Sequence, residues 1–225
     1  MIVVNNDHLE KSALAALEHR FSFHRVENES NSGFGAGSNR GAMQAKGNIL
    51  GFINPDTLWT GRYLESIAQV FDTRRDIGIL GMNMRDVNGK EELWGAGRAP
   101  SLKNLFLNNV LPFRQGYWKK QGLSFPDRVS GGALFIRKEI FTAMNGFDEQ
   151  FFLYFEDVDL CTRVRNAGYR VARDTAYPIT HLGGQSKQSV KNQKQHFYNS
   201  QLKYYKKHRP VWERRALSLL QRLFC

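Results

Sequence analysis

The order of hydrophobic and polar segments along the chain predicts strands that alternate with helices. Short apolar runs that end in turn-forming residues predict strands, and apolar residues three or four positions apart predict helices. The predicted strands are residues 2–4, 48–53, 77–82, 129–136 and 169–172, and the predicted helices are residues 12–20, 39–45, 64–71, 138–144 and 156–167. Between residues 86 and 127 the pattern weakens, and we expect loops and one short helix there. The alternation predicts an α/β protein whose mainly parallel sheet is covered by helices on both faces.

Length and composition are those of one globular domain with an appendage. The chain has 225 residues, of which 41% are hydrophobic and 12% aromatic, enough for one sizeable core. Its apolar runs are shorter than the roughly 18 residues of a membrane span, and its first residues lack the basic region of a secretory signal. Two cysteines, Cys161 and Cys225, argue against a disulfide framework and fit a reducing compartment. These features predict a cytoplasmic location.

The net charge of +11 is concentrated near the C-terminus. Residues 185–225 contain ten Lys and Arg side chains and one acidic side chain, Glu213. We therefore divide the chain into a body, residues 1–184, and a basic helical tail, residues 185–225. Because the basic charge is confined to the tail and no recognition motif accompanies it, we expect no nucleic-acid partner.

The end of the tail has the pattern of a basic amphipathic helix. At about 100° per residue, one side carries Trp212, Ala216, Leu219, Leu220, Leu223 and Phe224, with Leu217 at its edge, and the other carries Arg214, Arg215 and Arg222. Such a helix can lie on an anionic membrane surface, which would place the protein at the inner face of the cell membrane. The same apolar side would equally suit packing on the body or on a second subunit.

Two acidic positions are candidates for chemistry. Asp56 follows the apolar strand 48–53, although a lone Asp there is more often a turn residue. Far downstream, an acidic cluster of Glu156, Asp157 and Asp159 follows the aromatic run 151–155. Acidic side chains are favourable at a helix N-terminus, and this effect explains the presence of one or two of these three residues without a catalytic role. A carboxylate that is held beside apolar surface is a candidate general base.

His181 and the glycine-rich segment 33–37 are the remaining candidates. His181 follows a strand and precedes Gly183 and Gly184, so its ring could approach a ligand or metal closely. An Asp and a His, together with diphosphate oxygens, would suit Mn²⁺ or Mg²⁺. The segment 33–37 lacks the GxGxxG order and follows no predicted strand, which argues against a dinucleotide site.

These segments resemble the bacterial family-two nucleotide-sugar glycosyltransferases of GT-A fold, particularly the rhamnosyltransferase-like branch. The matching segments follow the family order and are residues 31–41, 52–57, 130–137, 146–161, 168–171 and 181–184. The resemblance implies an inverting transferase that moves a sugar, rhamnose in that branch, from a nucleotide donor to a saccharide or lipid-linked acceptor in surface polysaccharide synthesis.

The resemblance also implies catalytic and metal-binding roles. Asp56 matches the last Asp of the family's DxD motif, which holds a divalent cation, and His181 matches a residue that can complete this site. Asn54 replaces the first acidic residue of that motif. Asp157 matches the catalytic base, and Glu156 matches the acidic neighbour that contacts the acceptor. One catalytic carboxylate suffices, because the cation stabilises the departing diphosphate.

Further residues match positions around the substrates. Asn5 falls where many relatives carry a nucleobase-binding Asp, and Gly37 and Asn39 would line the nucleotide side. Gly131 and Gly132 would let donor and acceptor approach closely.

The resemblance further implies a first strand and helix before residues 2–4, about 35 to 45 residues in length. We expect the chain without this unit to expose strand edges and to self-associate. The alternative to an active enzyme is a catalytically silent fragment that acts only in binding.

Overall fold

The computed structural model describes residues 1–6, 11–110, 121–183 and 190–224. The helices are α1 (Lys11–Glu18), α2 (Phe34–Gln44), α3 (Leu64–Thr73), α4 (Leu102–Val110), α5 (Lys138–Ala143), α6 (Glu156–Asn166), α7 (Val190–His208) and α8 (Val211–Phe224). The strands are β1 (Ile2–Asn5), β2 (His24–Glu27), β3 (Ile49–Ile53), β4 (Thr57–Leu58), β5 (Ile77–Arg85), β6 (Ala96–Gly97), β7 (Leu123–Ser124), β8 (Arg128–Val129), β9 (Ala133–Arg137) and β10 (Arg170–His181).

A six-stranded sheet forms the centre of the molecule. Its order is β3–β9–β5–β10–β4, and β7 also pairs with β10. Strands β5 and β10 are parallel, whereas β9 is antiparallel to both β3 and β5. The long strands β3, β5 and β10 therefore run in one direction, with β9 inserted against them. The predicted α/β class is confirmed, and the reversed direction of β9 is a feature that the hydrophobic pattern did not indicate.

A separate parallel pair, β1 and β2, lies beneath helix α2. Gly41 of α2 lies against Val4 of β1, and a Cβ at Gly41 would come within 2.8 Å of the Val4 methyl group. The sequence pattern did not predict β2, because its four residues are half-buried or exposed and include charged side chains.

Alternating residues of the central strands build two hydrophobic cores, one on each face of the sheet. Ile79 and Leu134 belong to the core that is covered by α5 and α6, while the adjacent Leu80 and Phe135 belong to the core that is covered by α3. This alternation follows from the two-residue period of a strand. The uninterrupted apolar run of β5 is therefore needed to fill both cores.

The two tail helices pack against the body. Tyr204 and Tyr205 of α7 and Leu217 of α8 share a third buried cluster with body side chains, namely Phe151, Phe155 and Val158. The expected boundary between residues 184 and 185 lies outside the described residues. Among the described helices, none combines the length and the hydrophobicity that a bilayer crossing requires.

Candidate functional site

Strand pairing brings Asp56 and His181 together. Asp56 lies in the turn between β3 and β4, and β4 pairs with the end of β10 so that Thr57 lies opposite His181. The backbone N–H of Leu182 donates to the carbonyl oxygen of Asp56 at 2.8 Å, which fixes the two segments together. His181 Nε2 is consequently 3.3 Å from Asp56 Oδ2. Gly184, at the end of the predicted His181 motif, lies outside the described residues.

This pair fits two neighbouring ligands of one divalent cation. Adjacent ligands on an octahedral cation, about 2.1 Å from the metal, lie about 3 Å apart, close to the observed 3.3 Å. The other oxygen of Asp56, Oδ1, is buried and without a hydrogen-bond partner among the described residues. Within the described residues, no group of three or more His, Cys, Asp or Glu has the arrangement of a complete protein site. The remaining ligands would therefore come from substrate oxygens, the usual arrangement for such a cation beside a diphosphate.

Glu92 is a neighbour of His181 that sequence reasoning missed. His181 Nδ1 lies 3.2 Å from Glu92 Oε1, on the opposite side of the ring from Asp56. The Trp94 indole and the His181 ring pack in an edge-to-face arrangement, with the ring centroids 5.1 Å apart. Residues 86–127 have a weak hydrophobic pattern, so the sequence contained no signal that would link Glu92 to His181.

A second group of predicted residues meets where β3 ends and β9 begins. The Asn54 N–H donates to the carbonyl oxygen of Gly132 at 2.9 Å. The N–H of the adjacent Gly131 donates to Asp157 Oδ2 at 2.7 Å, and Asp157 Oδ1 accepts from the Val158 N–H. A Cβ at Gly131 would lie 3.2 Å from the Cβ of Asp157, so a larger residue would press on the carboxylate.

The chain enters helix α6 through an unusual backbone. Tyr154 and Phe155 both have a φ of 68°, a left-handed conformation that costs a non-glycine residue about 1 to 3 kcal/mol. Nearby, Gly33 has a φ of 91°, and a Cβ at that position would collide with the Phe152 carbonyl oxygen. The Phe34 N–H donates to the same oxygen at 3.0 Å. This contact joins the start of α2 to the segment that leads to Glu156 and Asp157.

Both carboxyl groups at the start of α6 have raised pKa values. Burial and the charge of Asp157 raise the pKa of Glu156 well above its ordinary value. Burial also raises the pKa of Asp157, while the hydrogen bond from Gly131 acts in the opposite direction. Glu156 Oε2 is buried and unpaired among the described residues. A carboxylate with a raised pKa can accept a proton near neutral pH, as a general base must.

The donor-side candidates Asn5 and Gly37 lie near a polar cluster that the sequence did not predict. Asn5 Nδ2 donates to Glu27 Oε2 at 2.8 Å. Gly37 faces Asn6, whose side-chain amide donates to the Gly33 carbonyl oxygen and accepts from the Asn28 amide. Asn6 thus shapes the glycine-rich segment directly. The residue after Asn6, Asp7, lies outside the described residues.

Asn39 connects α2 to the loop before α6. Its Nδ2 donates to the Phe147 carbonyl oxygen at 2.9 Å and to Glu149 Oε1 at 3.0 Å, and its Oδ1 accepts from the Phe147 N–H at 2.8 Å. The amide is thus engaged in holding this loop, and its place on the nucleotide side stays a prediction.

Asp159, the third member of the acidic cluster, faces the tail. It is fully buried and contacts Arg163 of its own helix and both Lys207 and His208 of α7. Burial acts to raise the pKa of Asp159, but hydrogen bonds from His208 and Lys207 and the charge of Arg163 outweigh it and lower the pKa to about 2. The members of the acidic cluster therefore have different locations: Asp157 lies at the candidate site, and Asp159 lies in the contact with the tail.

Comparison with known families accounts for most of the chain. Glycosyl transferase family 2 matches residues 1–141, and the family described as the N-terminal domain of galactosyltransferase matches residues 122–183. The first match contains Asn54 and Asp56, and the second contains Asp157 and His181.

Curated relatives are about one quarter identical to this chain over the residues that match. A Mycobacterium tuberculosis (strain H37Rv) protein named N-acetylglucosaminyl-diphospho-decaprenol L-rhamnosyltransferase is 26% identical over 192 residues, which cover 75% of this chain and 62% of that protein. Rhamnosyltransferase WbbL of Escherichia coli K12 is 25% identical over 133 residues, which cover 58% of this chain and 50% of that protein. This chain thus matches between half and two thirds of each relative's length.

Solved structures show the same fold. A crystal structure of GalNAc-T7 with UDP, GalNAc and Mn²⁺ matches 91% of this chain with a TM-score of 0.64 and 13% identity, covering 41% of that chain. Mannosyltransferase PcManGT from Pyrobaculum calidifontis, in complex with GDP-Man and Mn²⁺, matches 92% of this chain with a TM-score of 0.60 and 16% identity, covering 53% of that chain. At these identities the likeness establishes the GT-A fold alone.

Proposed function

This chain belongs to glycosyl transferase family 2, and we propose that it transfers a sugar from a nucleotide-sugar donor to a saccharide or lipid-linked acceptor with inversion at the anomeric carbon. The observation that carries the proposal is the Asp157 carboxylate, which is held by the Gly131 N–H and has a raised pKa. The rhamnosyltransferase relatives support rhamnose as the sugar, and the decaprenol-linked substrate in one name supports a lipid-linked acceptor. Transfer of this kind serves surface polysaccharide synthesis.

In the proposed reaction, Asp157 acts as the general base. Its carboxylate takes the proton of an acceptor hydroxyl as the hydroxyl oxygen forms a bond to the anomeric carbon. The bond between that carbon and the diphosphate oxygen breaks on the opposite face, and the nucleoside diphosphate leaves with the bonding electrons. Gly131 fixes the base through its N–H, and its lack of a side chain allows this close approach to Asp157.

Asp56 and His181 would hold the divalent cation, Mn²⁺ or Mg²⁺, beside the donor diphosphate. The bound cation supplies charge stabilisation for the leaving group. The Asn54 side chain has one neutral carbonyl oxygen where a carboxylate would carry negative charge, so its end of the site would bind a cation less strongly. Mn²⁺ in two solved relatives of the same fold supports this choice of ion.

A donor panel with Mn²⁺ tests the proposed transfer. Purified chain is incubated with several nucleotide sugars and a polyprenyl-diphosphate saccharide, and we measure nucleoside diphosphate release and the anomeric configuration of the product. We expect one donor to react, with an inverted product. Nucleotide binding without turnover would instead support the silent-fragment alternative, and a retained configuration would contradict the inverting mechanism.

We also propose that α8 docks on an anionic membrane surface. Leu217 and Glu213 face the body and are buried, whereas Val211, Trp212, Leu219 and Leu220 are between 45% and 63% exposed. The side chains of Leu223 and Phe224 lie outside the described ones. Packing on the body therefore uses only one edge of the predicted apolar side and leaves the rest facing outward.

Exposed basic residues of the two tail helices suit an anionic partner. Lys206, Arg215 and Arg222 are exposed, and no ion pair within the described part of the chain includes them. By contrast, Lys207 and Arg209 pair with Asp148 and Glu213 and are less available to a surface. Each available basic side chain near an anionic leaflet contributes roughly 1 kcal/mol of attraction.

Vesicle co-sedimentation tests the docking of α8. We expect binding to phosphatidylglycerol vesicles that falls with salt and is weak on phosphatidylcholine. A Leu219→Gln, Leu220→Gln double variant should bind about tenfold more weakly, because two exposed apolar side chains no longer enter the lipid. Phe106→Gln, which changes an apolar residue on α4 that is at least as exposed, is the matched control. Equal loss in both variants, or equal binding to both lipids, would contradict the docking.

A further inference from the structure

His181 lies between two carboxylates. Its Nε2 is 3.3 Å from Asp56 Oδ2 and its Nδ1 is 3.2 Å from Glu92 Oε1. All three side chains are largely buried, with 15% to 20% of each exposed. The ring is thus enclosed by two acceptors, and its orientation is set from both sides.

The number of protons on the His181 ring limits the hydrogen bonds that it can make to the two carboxylates. A neutral imidazole has one N–H and one lone pair, so it can donate to only one of the two carboxylates. The other nitrogen then directs its lone pair at a carboxylate oxygen, which is unfavourable unless a second proton or a metal cation lies between them. Asp56 Oδ1 and Glu92 Oε2 are both buried without a partner among the described residues. Of the two carboxylates, Asp56 belongs to the pair that fits the cation.

We propose that Glu92 is a positioning residue that accepts the Nδ1–H of His181 and thereby directs the Nε2 lone pair to the divalent cation held with Asp56. The inference rests on the metal site of the proposed function. A carboxylate that accepts the second N–H of a metal-binding histidine fixes the ring's tautomer and orientation, and its loss costs about 10- to 100-fold in metal affinity.

The backbone around Glu92 places it for this role. Strand β5 ends in a tight turn in which the N–H of Asp86 donates to the carbonyl oxygen of Lys90 and the N–H of Gly89 donates to that of Asp86. The chain then folds back on β5, and the Glu92 N–H donates to the Met84 carbonyl oxygen at 3.0 Å. The preceding residue, Glu91, instead contacts Arg173 and Asn83. Two adjacent carboxylates in one turn therefore have different partners.

Three substitutions of Glu92 distinguish a role in positioning His181 from a general contribution to the stability of the fold. Glu92→Met keeps the length of the side chain and removes the acceptor, Glu92→Ala removes the side chain, and Glu92→Gln keeps one carbonyl oxygen that can accept the Nδ1–H. Glu91→Gln is the matched control from the same turn. A His181→Asn variant identifies the ring signals of His181 in nitrogen-15 NMR spectra.

The first measurement is the tautomer of the neutral His181 ring in metal-free protein that carries Asp56→Ala, which leaves Glu92 as the carboxylate beside the ring among the described residues; it is read from the ring nitrogen shifts. In this background we expect Nδ1–H with Glu92 unchanged, with Glu92→Gln and with the control, and a shift toward Nε2–H with Glu92→Met and Glu92→Ala. An unchanged tautomer in either folded variant that lacks the acceptor would overturn the inference. This measurement needs no metal, so it decides the role of Glu92 even if the proposed metal site fails.

The second measurement is the affinity for Mn²⁺ alone, from the paramagnetic resonance signal of free Mn²⁺. We expect about 10- to 100-fold weaker binding in Glu92→Met and a change of less than about threefold in Glu92→Gln. Absence of Mn²⁺ binding in the wild type would contradict the metal site of the proposed function. Equal affinity in the wild type and Glu92→Met would contradict the action of Glu92 on the metal.

Discussion

The Nε2 atom of His208 lies 2.6 Å from Oδ1 of Asp159, and this contact connects the last turn of α7 to the helix that carries Asp157. Asp159 is two residues from Asp157 and is fully buried, so the carboxylate that binds the tail and the candidate base both lie in the first turn of α6. The tail contact and the candidate base are therefore carried by one turn of one helix.

His208→Ala should lower the free energy of unfolding by about 1.5 to 3 kcal/mol, the range for a hydrogen bond to a charged group. The reason is that Asp159 loses a buried partner, although Lys207 and Arg163 remain. Urea unfolding followed by circular dichroism measures the change. His24→Ala, an exposed position on β2, should change stability little, and similar losses in both variants would contradict the assigned importance of the contact.

The contribution of Asp159 to the free energy of unfolding should also depend on pH. Its folded pKa of about 2 lies below the ordinary value of 3.8, so the ionised form stabilises the fold above about pH 4. This stabilisation decreases as pH falls through the folded pKa. We expect the stability difference between wild type and Asp159→Asn to be large at pH 6, about 3 to 5 kcal/mol for a broken buried ion pair, and to shrink toward pH 2. A difference that is constant between pH 6 and pH 3 would contradict the low pKa.

Asp157→Asn should reduce the transfer rate by about 10² to 10⁴ and leave donor affinity nearly unchanged, because the base acts on the acceptor. The amide oxygen can still accept from the Gly131 N–H, which keeps the contact with that loop, while the bond from the Val158 N–H is lost. Steady-state kinetics and nucleotide titration measure the two effects. Asp72→Asn, at an exposed position on α3, is the control. Turnover of Asp157→Asn near the control rate would remove Asp157 from the catalytic role.

Nucleotide binding should require a divalent cation. We expect Asp56→Ala to weaken Mn²⁺-dependent binding of a nucleoside diphosphate strongly and His181→Ala to weaken it less, since a neutral ligand contributes less charge stabilisation than a carboxylate. Calorimetric titration with Mn²⁺, and again with excess chelator, measures both. Equal affinity of the wild type with Mn²⁺ and with chelator would contradict a metal-held diphosphate.

Glu156→Gln should change how stability depends on pH. Because the folded pKa of Glu156 is raised, the folded state holds its proton above the ordinary pKa of 4.5, and wild-type stability declines as pH rises from there. The decline is at most about 1.4 kcal/mol per pH unit, and the Gln variant lacks it. Melting temperatures between pH 5 and pH 8 should diverge in favour of the variant, and parallel curves would contradict the raised pKa.

The sequence allowed prediction of residues that occupy recognisable turns and clusters. Asp56 follows an apolar strand, and Asp157 lies in an acidic cluster after an aromatic run, so both were identified from residue type and position. Gly131 was predicted as a close-approach position, and the structure adds that its N–H bonds the candidate base.

Contacts between distant polar residues could not be predicted in this way. Glu92 and His181 are 89 positions apart, and Asn6 contacts the glycine-rich segment 27 positions later. No periodicity links such pairs, because strand order and turn geometry bring them together. The hydrophobic pattern also could not predict the direction of β9, because an apolar run has the same appearance in a parallel and an antiparallel strand.

The pairing of β3 with β9 has a consequence for synthesis on the ribosome. Within the described chain β3 pairs with β9 alone, and Ile53 lies opposite Ala133, which is translated 80 residues later. At roughly 5 to 20 residues per second, the nascent chain would carry β3 for about 4 to 16 seconds before its partner is made. During that interval its backbone and its apolar residues Leu50 and Phe52 are open to other nascent strands. A lower growth temperature, or a chaperone that binds unfolded chains, should therefore change the yield of folded protein more than it changes the stability of the folded protein.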